Sequence, residues 1–225
     1  MDEKMVLPPN FSVQKAHKTQ ALLSKRIIEE DRLPDRIEFI AGVDVAYTGK
    51  LSIGAVSVLD YNSLRTIESQ TAICETKMPY VPTLLAFREI PAVIACVRKL
   101  VRQPDIFLVD GHGIAHPCNF GLASHIGVIV GKPTIGVSKA RLVGETVQSG
   151  FYEFLSYNGR TVGAVIRRVK HGKPIYVSVG NLVSLETAIE IVEKCGRNEM
   201  IPEPLRQAHI TASELKHQLE GKSDL

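Results

Sequence analysis

The chain has 225 residues, 44% of them hydrophobic and 23% charged, with a net charge of +3. That length suits a single domain over residues 1–225, with a core large enough to stand alone. No apolar run approaches the roughly 18 residues of a membrane span, and the opening MDEKMVLPP lacks the apolar segment of a secretory signal.

In chain order, residues 12–31 predict an amphipathic helix with Val13, Ala16, Leu23 and Ile27 along one stripe. Residues 37–47 alternate with period two, and 53–60 and 64–74 read as two more strands, together an antiparallel meander. TKMPYVPT is a loop stiffened by prolines. Residues 84–101 predict helix, broken or restarted at Pro91. IFLVD is a short, wholly apolar strand, as expected inside a covered sheet. A helix near 121–130 and a strand at 133–137 follow. Strands at 151–157 and 161–169 are joined through Asn158-Gly159, a hairpin signal. A strand at 174–179, a helix at 184–195 capped by Ser184 and a last helix from residue 201 complete the chain. This order predicts an α/β fold, a ribonuclease H-like mixed sheet with helices on both faces.

The slight positive charge permits nucleic-acid binding without requiring it. The basic clusters (Arg98, Lys99 and Arg102; Lys139 and Arg141; Arg167, Arg168, Lys170 and Lys173) are each explained as solvated faces. Cys74, Cys96, Cys118 and Cys195 are scattered without a C-x-x-C, so they read as reduced thiols of a cytoplasmic protein.

Three carboxylates stand where a carboxylate is costly. Asp44 lies in mid-strand, on the face opposite Val43 and Val45. Asp110 ends a buried strand, where sheets commonly hold ligands. Glu89 lies on the helix between them. Gathered together they would repel and their pKa values would rise, unless a hard cation such as Mg²⁺, or Mn²⁺ in its place, were bound. Each alone is as well explained by backbone hydrogen bonds or solvent. The loop DGHGIAHP tips the balance, because Gly111 and Gly113 allow positive φ and close backbone approach, and Gly121 opens a helix whose free N–H groups favour oxygen ligands. A zinc site of His112, His116 and His125 is disfavoured by Gly113 and Pro117, which oppose a helix there. His125 reads as structural.

The blocks AGVDVAY, MPYVPTLLAFRE, PDIFLVDGHGIAHP, GLASHIGV, PTIGVSKARL and IPEPLRQAH, in that order from residue 41 to 209, resemble the endonuclease V family. The resemblance implies a divalent-metal nuclease that nicks a strand at the second phosphodiester bond 3′ to deoxyinosine. It implies Asp44 and Asp110 as metal ligands, with Glu89 as third acidic residue and His209 near the reacting phosphate. It also implies Lys139 on substrate phosphate and Tyr80, between Pro79 and Pro82, as a wedge entering the duplex. Leu85, Gly111, Gly113, His116 and Gly121 would line the pocket for the extruded base. The implied partner is DNA with deaminated bases, with inosine-containing RNA and a non-cutting lesion-binding module as alternatives. A monomer away from membranes is expected. The chain departs from the family at Thr83, commonly glycine, and at Asn181, often histidine, to which no role is assigned.

Overall fold

The computed structural model describes residues 6–150, 152–167, 173–196 and 201–221. Its elements are α1 (Val13–Leu23), a 3-10 turn (Ser24–Arg26), β1 (Phe39–Thr48), β2 (Leu51–Asp60), β3 (Thr66–Glu75), α2 (Leu85–Val97), β4 (Ile106–Asp110), α3 (Leu122–Val130), β5 (Thr134–Ser138), β6 (Glu145–Ser149), β7 (Tyr152–Tyr157), β8 (Arg160–Ile166), β9 (Ile175–Asn181), α4 (Leu185–Gly196) and α5 (Glu203–Gly221). The strands form one sheet in the order β3-β2-β1-β4-β5-β9-β8-β7-β6. β1, β4 and β5 run parallel, and the predicted meander of β1, β2 and β3 is antiparallel. β9 to β6 add an antiparallel extension beyond β5.

Alternation along the strands sorts the core into two layers. Ile40, Leu108, Ile135 and Val177 pack with Ala188 and Val192 of α4 and Leu205 of α5. Ala41, Val43, Phe107 and Val109 pack with Ala86 and Val93 of α2 and Leu122 and Ile126 of α3. Helices on both faces of a mixed sheet are thus what the sequence predicts. Ser184 caps α4, its Oγ accepting from Thr187 N at 3.2 Å. Gly42 lets α5 approach β1 so closely that a Cβ there would overlap the Pro204 carbonyl. The start of α5 is thereby laid beside Asp44.

Two expectations are corrected and one strand is added. The first helix ends at Leu23, not at residue 31. Beyond it the chain is stitched to the end of β9, with Leu182 N donating to Ile28 O and Arg32 N to Leu182 O. β-branched Ile27 and Ile28 favour this extended course, and Ile27 packs on the core. Pro91 lies inside a continuous α2 and faces solvent, where water can serve the carbonyl its missing N–H leaves free. β6, over residues to which the sequence reading gives no element, is a strand exposed at every residue, so it carries no burial pattern to read. Of the basic cluster at 167–173, Arg168 and Lys170 lie outside the described residues, as does the end of the strand predicted over 161–169. Among the described residues no helix is long and apolar enough to cross a membrane.

Candidate active site

The parallel pairing of β1 with β4 sets Val43 against Val109, so Asp44 and Asp110 follow in step, both on the α5 face. Asp44 Oδ1 accepts from Val45 N, and its Oδ2 lies 2.8 Å from His209 Nδ1. His209 is itself 62% exposed, open to a substrate. Asp110 Oδ2 accepts from Lys139 Nζ at 3.3 Å. Burial, and then the Asp44 charge, push the Asp110 carboxyl above the usual range, while Lys139 pulls it down.

Glu89 is buried on α2, and Tyr47 Oη donates to its Oε1 at 2.8 Å. Burial first, with the charges of Asp44 and Asp110 adding to it, raises Glu89 to about 8 against the pull of Tyr47. The Arg88 guanidinium lies 4.1 Å above the Tyr47 ring. Sequence reasoning missed Tyr47 as the partner of Glu89, although it closes the same block, AGVDVAY.

Two carboxylates in step and a third in their electrostatic field repel one another, and a divalent cation would relieve that repulsion. The donors are all oxygen, as hard cations require. Among the described residues no three His, Cys, Asp or Glu side chains form a ligand cluster. A pair of carboxylates suits an ion that keeps waters and takes substrate oxygens. The same finding removes the zinc reading of His112, His116 and His125. His125 instead packs edge-on against Phe87 and tilted on Phe120, in keeping with its structural reading.

Next to the carboxylates, across Asp110–Gly111, lies a cavity of about 250 Å³, several times the roughly 30 Å³ a water occupies. Leu85, Gly111, His116 and Gly121 line it, and Tyr80 stands at its wall, 65% exposed. Gln20, Thr83, His112 and Arg141 line it as well. Gly113 stands behind the wall, where a Cβ would collide with the Val179 carbonyl, and its N–H donates to Ser178 Oγ at 2.8 Å. Pro79 and Pro82 flank Tyr80 without lining the cavity, and Lys139 lies toward α5, near Pro202 and Leu205.

The loop glycines meet the expected close approach of backbone but not the expected positive φ. None of Gly111, Gly113 and Gly121 has a positive φ. They serve close packing, and the loop folds on itself, with Gly121 N donating to Gly113 O and Ala123 N to His112 O. The Gly121 and Ala123 N–H groups are therefore committed before any ligand arrives. His116 is held neutral, because Nε2 donates to Thr83 O at 2.9 Å while Nδ1 accepts from Cys118 N at 3.1 Å. Burial lowers its pKa to about 4, and does the same to His112 and His125. Asn181 has a structural task, its Oδ1 accepting from Ile28 N at 3.1 Å.

Comparison with known proteins gives this chain its relatives. Residues 21–210 match the family model of endonuclease V. An endonuclease V of Thermofilum pendens is 41% identical over 210 residues, covering 92% of this chain and 90% of that protein. The crystal structure of endonuclease V from Streptomyces avermitilis superposes with a TM-score of 0.86 at 34% identity, covering 96% of this chain and 99% of that one. Ciona intestinalis endonuclease V, solved with a 23mer DNA containing an inosine followed by a ribo-adenosine, matches with a TM-score of 0.83 at 26% identity over 92% of this chain and 98% of its own.

Proposed function

The chain belongs to the endonuclease V family, and from that premise we propose that it is a single-domain DNA repair endonuclease which recognises deaminated bases, mainly deoxyinosine. It hydrolyses the second phosphodiester bond 3′ to the lesion. The observation that carries this reading is the junction at Asp110–Gly111, where a carboxylate pair adjoins a cavity of about 250 Å³.

Asp44 and Asp110 would hold Mg²⁺, or Mn²⁺ in its place, with Glu89 as the third acidic group, and the ion would supply charge neutralisation at the phosphate and an activated water. Water adds to phosphorus, the bond to the leaving oxygen breaks, and that oxygen takes up a proton. His209, 2.8 Å from Asp44 and largely exposed, orients the water or delivers that proton. Lys139 exchanges Asp110 for substrate phosphate. Tyr80, stiffened by Pro79 and Pro82, fills the stack that the base leaves, offsetting a few kcal/mol of unstacking. The extruded base enters the cavity lined by Leu85, Gly111, His116 and Gly121, with Gly113 supporting the wall. Hypoxanthine lacks the exocyclic amine of guanine, and a close wall rejects that amine. The enzyme acts in the cytoplasm as a monomer.

A duplex with one deoxyinosine, incubated with Mg²⁺ or with Mn²⁺, is expected to be nicked 3′ to the lesion; an intact strand with both ions refutes the proposal. A second reading, cleavage of inosine-containing RNA, draws on the Ciona complex, whose inosine is followed by a ribo-adenosine. Matched RNA and DNA substrates decide between the two.

A further inference from the structure

α1 takes no part in the chemistry above, yet it reaches the wall of the base cavity. Thr83, on the loop that carries Tyr80, has φ +71°. A β-branched residue is strained in that region, which glycine enters freely. Three side chains converge on it. His17 Nε2 lies 2.8 Å from Thr83 Oγ1. Gln20 Nε2 donates to Thr83 O at 2.9 Å, and His116 Nε2 donates to the same carbonyl at 2.9 Å.

Gln20 is the less expected of the two α1 residues. It is fully buried in a helix whose residues are mostly exposed. Its Nε2 also donates to Phe120 O at 3.3 Å. One amide therefore ties the tyrosine loop to the glycine loop across the cavity it lines. Two carbonyl partners fix the NH₂ end of that amide. Its Oε1 is left buried without a partner among the described residues, a cost that a purely structural glutamine has no reason to carry.

We propose that His17 and Gln20 are positioning residues that brace Thr83 in its left-handed conformation, and that this brace sets the width of the base cavity and its discrimination among purines. Thr83 lines the cavity, and it carries a Cβ there that a glycine would lack. The bond to His17 fixes where the hydroxyl points, and the bonds to the carbonyl fix the peptide behind it. A pocket held this way is narrow and stiff, the condition for rejecting a purine with one extra substituent.

The proposal rests on the cavity being the lesion pocket, and its test separates the two. The ratio of kcat/KM for deoxyinosine over deoxyxanthosine in matched duplexes is measured for the unaltered protein and for Gln20→Met, His17→Ala, Thr83→Gly and His17→Ala/Thr83→Gly, with thermal melting of each. Gln20→Met is expected to lower that ratio about tenfold while leaving a folded protein. His17→Ala is expected to lower both ratio and melting temperature when Thr83 is present. In the Thr83→Gly background it is expected to change neither, because the strain it offsets is gone. An unchanged ratio in folded Gln20→Met, or effects of His17→Ala that are equal in both backgrounds, overturns the brace. Where Gln20→Met does not fold, the His17/Thr83 cycle decides. If the unaltered protein cuts neither duplex, the proposed function falls, and the melting cycle alone judges the brace, coupling supporting it and additivity overturning it.

Discussion

The carboxylate end and the neighbouring cavity share the Asp110–Gly111 step and are built on opposite physics. Around Asp44, Asp110 and Glu89 the structure concentrates like charge and leaves it incompletely balanced by Lys139, Arg88 and the exposed His209. Around the cavity it concentrates neutral groups. His116 is buried and His112 and His125 are half-buried, all three with lowered pKa values, and glycines bring backbone against backbone. A phosphate looks the same at every nucleotide and is met by charge, whereas a base is told apart by its outline and is met by shape. Damage at the first end should therefore change rate, and damage at the second should change stability and selectivity.

The largest break in this contrast is expected from Asp110→Ala. Nicking of a deoxyinosine duplex should fall by at least roughly 10²-fold, while binding of that duplex, read by fluorescence anisotropy, survives. Unaltered nicking would remove Asp110 from the metal site. Next in size is a pair of opposed pH effects. His116 and His125 have folded pKa values near 4 against about 6.5 unfolded. Between those values the unfolded chain binds more protons, so their contribution is whole above pH 6.5 and is lost as pH falls toward 4. The loss is up to about 3 kcal/mol each. Glu89, raised to about 8, has the opposite sign: the folded state holds the extra proton, and stability is lost as pH rises from about 4.5 to 8. Urea titrations across pH should show His125→Phe flattening the acid limb and Glu89→Gln flattening the neutral one. Parallel curves for all three proteins would deny the contrast its electrostatic basis. Smaller again, Gly113→Ala should cost about 2 kcal/mol, because its Cβ meets the Val179 carbonyl. The denaturation midpoint reads this directly.

The carboxylate end was the more legible of the two in sequence. A lone Asp in an alternating strand and another closing IFLVD announce themselves by residue type, and strand parity put Asp44 on the correct face. The ribonuclease H-like order followed from hydrophobic periods, because buried strands and amphipathic helices leave those periods behind. What stayed hidden has no such pattern. β6 is an exposed edge. The extended course after Arg26 depends on partners 153 residues away, such as Asn181 for Ile28 N. Gln20 looked like one more polar residue on a helix, and only the fold brings it to Thr83 and Phe120. The role of the loop glycines was half legible, because Gly permits both positive φ and close contact, and the sequence does not say which of the two applies. Thr83 is the converse case, a positive φ at a residue type that rarely adopts one, hinted at only by the family's usual glycine at that place.

The smallest effect expected is a control that should touch neither end. Asp31 lies on the segment that follows the first helix, and there it serves the start of α4. Its Oδ1 accepts from Ser184 N at 2.7 Å, and its Oδ2 accepts from Ser184 Oγ at 3.1 Å and Thr187 Oγ1 at 2.8 Å. The carboxylate thus supports Ser184, the residue that caps Thr187 N, and adds negative charge at a helix N-terminus. Removing such a cap costs about 1 kcal/mol. Asp31→Ala should lower the denaturation midpoint by that amount while leaving the nicking rate and the preference for deoxyinosine unchanged. A fall in rate or preference would mean that the segment from 27 to 32 transmits to the cavity through α1, and the division of the molecule into a charged end and a shaped end would then have to include this stitching as a third part.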